Sequence, residues 1–214
     1  MTSILSAIEP LMNECLGPAS AVGVFRTLPQ PVHQEVGSLT VVEVRELLLH
    51  LETSVRLFAR PGKAMAPGKL RDAITGGAPA KAREERYPIS SDRDVLVVQR
   101  ATQMLTRGFF GITDGVRLAT AVSELARNIY MYAGRGEVTL RLSEEPNAFV
   151  FGIFAVDQGP GIPHLETIMK GDYRSSTGLG RGIVGTQALL NSMHVDTAPG
   201  KGTRITGERR VRKS

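Results

Sequence analysis

The sequence predicts an α+β protein, in which a small all-helical unit precedes a sheet with helices packed on one face. Three observations predict it. Residues 1–76 hold apolar stretches of helical character and little that reads as strand. Residues 61–86 are loaded with Gly, Pro, Ala and charge, a linker composition that centres on 77–83 and leaves room for one short helix near 69–75. From about residue 84 short β-rich runs alternate with helical ones, the order expected of a sheet carrying helices.

The strongest N-terminal element is "TVVEVRELLLHLETSVRLFAR". Val44, Leu47, Leu48, Leu51, Val55 and Phe58 recur there at three- and four-residue steps. Ser38 or Thr40 can cap its start, and Pro61-Gly62 ends it. In the second unit "RYPI" reads as a strand, and Ser90 and Ser91 as caps for the helix "DRDVLVVQRATQMLTRGF". Thr113 or Asp114 opens a second helix that runs to Gly134. "GEVTLRLSE" and "AFVFGIFAVDQ" are strands joined by the turn "EPN". A helix "IVGTQALLNSM" and the strands "HVDTA" and "TRITGERR", joined by "PGKG", complete the unit.

Composition bounds the function. Hydrophobic content of 42% and charged content of 22% are ordinary for a globular protein, and no run of eighteen apolar residues marks a membrane span. The first residues lack a basic n-region and place Glu9 and Glu14 among their apolar side chains, unlike a secretory leader. A single cysteine, Cys15, rules out an internal disulfide or a thiolate cluster, and a cytoplasmic protein is expected. Of the net charge of +5, four positives come from Arg209, Arg210, Arg212 and Lys213. This reads as a solvated basic tail on a near-neutral body, not as a nucleic-acid-binding surface.

On the second helix Leu118, Val122, Leu125, Ile129 and Tyr132 fall within an arc of roughly 80° at about 100° per residue. Glu124 and Asn128 stand one turn apart on the flank of that stripe. The pair reads either as boundary and surface residues or as a proton acceptor beside an amide oxygen able to ligate Mg²⁺. Three glycine-rich segments bear on the choice. In "VDQGPGI" Asp157 ends a strand ahead of Gly159 and Gly161, a turn or a reader of the adenine amino group. "SSTGLGRGIVG" runs into a helix, whose N-terminus favours anions. It matches G-x-G-x-x-G, but no buried strand precedes it and no acidic residue follows at the required distance, so a dinucleotide site is not expected. "PGKGT" alone is a hairpin turn.

Glu-x-x-x-Asn, Asp-x-Gly-x-Gly, Gly-Leu-Gly-x-Gly and Gly-x-Gly-Thr, in that order, resemble the GHKL ATPase superfamily, which includes gyrase B, Hsp90, histidine kinases and MutL. Residues 84–208 look most like the RsbT-type serine/threonine-protein kinases, the anti-sigma regulatory factor group of bacterial stress signalling. The resemblance implies the Bergerat fold, a two-layer α/β sandwich with a mixed sheet, and ATP with Mg²⁺ as cofactors. It implies Glu124 as the base or the group orienting the attacking hydroxyl, and Asn128 as the metal ligand. Asp157 would read adenine beside Gly159 and Gly161. Gly178, Gly180 and Gly182, with Leu179 and Arg181 between them, would line the triphosphate, and residues 164–177 would form a short lid. Gly202 and Thr203 would sit near the adenine. Arg181 departs from the small or apolar residue usual there, and either adds charge near the phosphates or faces solvent. The implied substrate is a STAS-domain protein and the implied effector a PP2C-type phosphatase. An anti-sigma factor on the same fold is the alternative. A histidine kinase is disfavoured, because His50 lacks the surroundings of a phosphoacceptor box.

Overall fold

The computed structural model describes residues 2–63, 65, 68–169 and 179–213. The chain divides into two compact units, Met1–Arg83 and Glu84–Ser214.

In the first unit, α1 (Ile4–Leu16), α2 (Pro18–Phe25), α3 (Val41–Phe58) and α4 (Lys69–Thr75) enclose a small core. On α1, Ile4, Ile8, Met12 and Cys15 are buried at steps of four and three. Arg60 donates from its guanidinium to the carbonyls of Asn13 and Glu14, which satisfies the open C-terminal end of α1. The start of α3 is set by Thr40: its hydroxyl accepts from Glu43 N–H while the Glu43 carboxylate accepts from Thr40 N–H at 2.8 Å. That hydrogen bonding, with the Thr40 hydroxyl first, holds the Glu43 carboxyl below its ordinary pKa. Of the six α3 residues expected in the core, Val44, Leu47 and Leu51 are buried. Phe58, in the last turn, is exposed.

In the second unit the order is β1 (Arg83–Ile89), α5 (Asp92–Thr106), α6 (Ile112–Asn128), a π-helical turn (Ile129–Ala133), β2 (Gly136–Glu145), β3 (Ala148–Asp157), α7 (Leu165–Met169), α8 (Leu179–Leu189), β4 (Ser192–Thr197) and β5 (Thr203–Arg212). Ser91 caps α5, and Ser90 binds the same Asp94 carboxylate. The cap expected from Thr113 or Asp114 is not used: Gly111 precedes α6 without a side-chain cap. The final helix spans Leu179–Leu189, beginning and ending four residues before its expected bounds, and Met193 belongs to β4. The glycine-rich segment therefore supplies the first turn of α8.

The five strands lie in the order β1-β2-β3-β5-β4. The β2·β3, β3·β5 and β4·β5 ladders are antiparallel, so this part of the sheet is uniform in direction. Residues directly opposite share a face. Register therefore stacks Val138, Ala155, Ile205 and Val195 in one row, Leu140, Ile153, Gly207 and Met193 in the next, then Leu142, Phe151 and Arg209. Most of these side chains are buried, and α6 packs on β2 and β3 at this face. The opposite face carries Thr139, Arg141, Glu208 and Arg204 beside Val150, Phe154 and Val156 of β3. A sheet with helices packed on one face is the pattern of a two-layer sandwich.

The presumed basic tail is strand. Residues up to Arg212 pair with β3, Ala148 opposite Arg212, and the charges of Arg209, Arg210 and Lys213 are answered by carboxylates. Arg209 points to the helical face and meets Asp114 at 2.5 Å. Arg210 pairs with Glu145, and Lys213 reaches the fully buried Glu144 side chain at 2.5 Å. Asp114 thus serves β5 instead of capping its own helix. Asp114→Ala leaves a largely buried guanidinium without its counter-charge and is expected to lower stability by about 1–3 kcal/mol, read as a drop in the denaturation midpoint at unchanged slope.

Candidate functional site

The row of the helical face that follows Val138 is polar. It consists of Gly136, Asp157, Thr203 and Thr197, aligned across β2, β3, β5 and β4. Here the apolar face of the sheet opens into a cavity of about 380 Å³, within the usual range for a small-molecule site. Ala155 and Ile205 form its floor, Asn128, Ile129 and Tyr132 one wall, and Ile162 and Ile183 another.

The wall depends on the π-helical turn. Leu118, Val122, Leu125 and Ile129 are buried, as an α-helical stripe requires. After Asn128 the backbone widens, and Tyr132 stands half-buried in the cavity wall instead of continuing the core stripe. A Cβ on Gly136 would lie 2.7 Å from Ile129 Cγ2, so only glycine lets this turn rest against the end of the sheet.

Two loops meet at the open edge. Asp157 Oδ1 accepts from Gly159 N–H at 2.8 Å, folding residues 157–159 back on themselves. A Cβ on Gly159 would stand 2.6 Å from Ala133 Cβ. Gly161 and Gly202 both have positive φ, 74° and 76°. A side chain on Gly161 would strike the Ala198 carbonyl, and one on Gly202 the Asp157 carbonyl. The loop after β3 and the loop before β5 are therefore in backbone contact. Gly200 N–H donating to Pro160 O at 2.8 Å adds a bond between them.

Of the residues expected at a nucleotide site, Asn128, Asp157, Gly161 and Thr203 line one cavity, with Gly159 and Gly202 directly behind it. Gly182, in α8, brings that helix onto α6: its Cβ position lies 3.1 Å from Glu124 Oε2 and 3.7 Å from the Asn128 amide. Glu124 and Asn128 are thus side by side and face α8. Leu179 and Gly180 are in the first turn of α8, and Arg181 follows in the same helix. Gly178 and most of the expected lid lie outside the described residues; the lid residues that are described include α7, whose Ile168 packs with Ile162 and Ile183. His50, set aside as a phosphoacceptor, is half-buried with Nε2 3.1 Å from Thr27 Oγ1.

The fit of a metal–phosphate group rests on Asn128. Among the described residues its Nδ2 is buried without a hydrogen-bond partner. Such a donor calls for an acceptor such as a phosphate oxygen, and the other end of the same amide offers oxygen to a hard cation. A carboxylate within the same few ångströms completes a donor set suited to phosphate and Mg²⁺.

Sequence reading missed Thr197, the π-helical turn and the floor residues. The floor was detectable, because Ala155 and Ile205 sit two residues inward of Asp157 and Thr203 on their strands. Thr197 gave no signal until strand register placed it beside Thr203.

The family model for histidine kinase-, DNA gyrase B- and HSP90-like ATPases matches residues 113–211. Serine/threonine-protein kinase RsbT of Bacillus subtilis (strain 168) is 41% identical over 96 residues, which is 45% of this chain and 72% of that protein. A chain in the crystal structure of the SiaB-SiaC complex from Pseudomonas aeruginosa is 11% identical, with 69% of this chain and 99% of that chain covered at a TM-score of 0.39. That likeness is too distant to bear on function. The fold and the family match define an ATP-binding protein of the GHKL type. Within that class, the chain belongs to the RsbT family of serine/threonine-protein kinases.

Gly200 and Gly202 provide a contrast within one loop. Gly200 has a φ of 76° and open space around it, whereas Gly202 abuts backbone. Gly200→Ala is expected to cost about 1–2 kcal/mol of stability and keep ATP affinity within about threefold, a difference of under 1 kcal/mol. Gly202→Ala should lower ATP affinity at least about tenfold, 1.4 kcal/mol. Calorimetric titration of both variants checks the pair.

Proposed function

We propose that this kinase transfers the γ-phosphoryl group of ATP to a serine or threonine of a STAS-domain partner. The carrying observation is the placement of Glu124 and Asn128 together against the first turns of α8, with Asp157 in the same cavity as Asn128. In this reading Asp157 accepts from the adenine amino group, which guanine replaces with an acceptor. The backbone N–H groups at the start of α8 meet the phosphates, a disposition favoured at any helix N-terminus. Asn128 would hold Mg²⁺ through its side-chain oxygen, and the ion would supply neutralisation of the phosphate charge. Glu124 accepts, or orients, the proton of the attacking hydroxyl. Phosphoryl transfer needs little more than such positioning and charge neutralisation.

The STAS-domain substrate is supported by the resemblance of residues 84–208 to RsbT-type kinases. So is a stressosome-like, partner-switching pathway, in which the released kinase acts on a PP2C-type phosphatase. Such a pathway belongs in the cytoplasm; among the described residues no helix is long and apolar enough to cross a membrane.

The first test is transfer from γ-labelled ATP, with Mg²⁺, to a STAS-domain protein encoded beside this one. Acid-stable label on the partner is the expected result. ATP binding without transfer would instead favour an ATP-gated binding switch of the anti-sigma kind. Glu124→Gln should keep ATP affinity within about twofold and lose at least about a hundredfold in transfer, the scale of general-base catalysis; full activity would remove Glu124 from the chemistry. Asp157→Asn should weaken ATP binding by about 1.5–3 kcal/mol, the worth of a hydrogen bond to a charged group, and unchanged affinity would refute the adenine assignment.

A further inference from the structure

Thr197 ends β4 one strand beyond Thr203 and is absent from the cavity lining. Its hydroxyl nevertheless makes three contacts. It accepts from Ile162 N–H at 3.0 Å, donates to Gly202 O at 2.9 Å, and lies 3.2 Å from Thr203 Oγ1. Ile162 belongs to the loop after β3, and Gly202 and Thr203 to the start of β5. One side chain therefore joins both loops that form the edge of the cavity.

The direction of these bonds carries the argument. A threonine hydroxyl has one hydrogen and two lone pairs. A carbonyl cannot donate, so the single Thr197 hydrogen is committed to Gly202 O. The N–H of Ile162 takes one lone pair. The remaining lone pair faces Thr203, and the contact closes as a hydrogen bond only if Thr203 is the donor. The one hydrogen of Thr203 is then turned away from the cavity, and its lone pairs remain for whatever the cavity holds.

We infer that Thr197 is a positioning residue for base selectivity: by fixing the Thr203 hydroxyl as an acceptor, it makes the polar row accept a donor at the C6 position of the base, the amino group of adenine, and reject the carbonyl that guanine carries there. Asp157, next to Thr203 in that row, is also acceptor-only as a carboxylate. Two neighbouring acceptors suit an exocyclic amino group, directly or through one water that donates to both. They oppose a carbonyl at the same place. Without Thr197 the Thr203 hydroxyl would be free to rotate and donate, and the row would tolerate either base. The inference rests on the adenine reading of Asp157 proposed above.

The test compares affinities of the full chain for ADP and GDP by calorimetry, with unfolding midpoints measured alongside. Thr197→Val keeps shape and removes the hydroxyl. It should reduce the ADP-over-GDP preference by up to about tenfold, the net worth of one hydrogen bond, mainly by strengthening GDP. Thr197→Ser should restore the preference. Thr197→Cys, a poorer acceptor, should give an intermediate loss and replaces the Val variant if that protein does not fold. Equal weakening of both nucleotides would reduce Thr197 to a loop staple and overturn the inference, as would an unchanged preference or a native protein that does not distinguish the two. Asp157→Asn separates the levels: if it leaves ADP binding intact, the adenine reading itself fails. If it weakens ADP binding while Thr197→Val leaves the preference unchanged, the role of Thr197 alone fails.

Discussion

Strand register is the constraint on which the rest of this structure depends. Three antiparallel ladders align Gly136, Asp157, Thr203 and Thr197 in one row, and the same alignment stacks the apolar rows beneath them. A slip of one residue in β5 would send Ile205 to the solvent face and take Thr203 out of the cavity. The hydrophobic pattern that secures the core therefore also secures the site. Further along β5 the same parity turns Arg209 inward, where it would be costly without Asp114.

Much of this was legible from the chain. Alternation in "GEVTLRLSE", the cap at Ser91 and the stripe on α6 are local signals, and local signals read well. The glycine motifs indicated Asp157, Gly161 and Thr203, which line one cavity, and Gly159 and Gly202 beside it, because close backbone approach leaves few substitutes for glycine. What escaped depended on partners distant in sequence. Arg209, Arg210 and Lys213 looked like a solvated end because their carboxylates lie far upstream, at Asp114, Glu145 and Glu144. Thr197 had no distinguishing neighbour until β4 met β5.

The α6 boundary failed for a different reason. Residues 112–134 carry a continuous helical pattern, and nothing in their periodicity marks a π-helical turn. The turn is favoured by what it packs against. Gly136 and Gly159 each leave room for it, and its wider backbone places Tyr132 in the cavity wall while Ile129 stays in the core. A pattern-based reading extrapolates the stripe through Tyr132; the molecule ends it at Ile129.

The strand order has a thermodynamic consequence. β2 and β3 are neighbours in sequence, but β5 lies between β3 and β4, and among the described residues β4 pairs with β5 alone. The polar row is incomplete until the last of these strands is in place, so no partly assembled form of the sheet offers the finished row. A ligand that recognises only the finished site stabilises that state by RT ln(1 + [L]/Kd). Occupancy of the proposed nucleotide site is therefore coupled to the cohesion of the strands from β2 to β5, and ATP bound there stabilises the fold as well as serving as substrate.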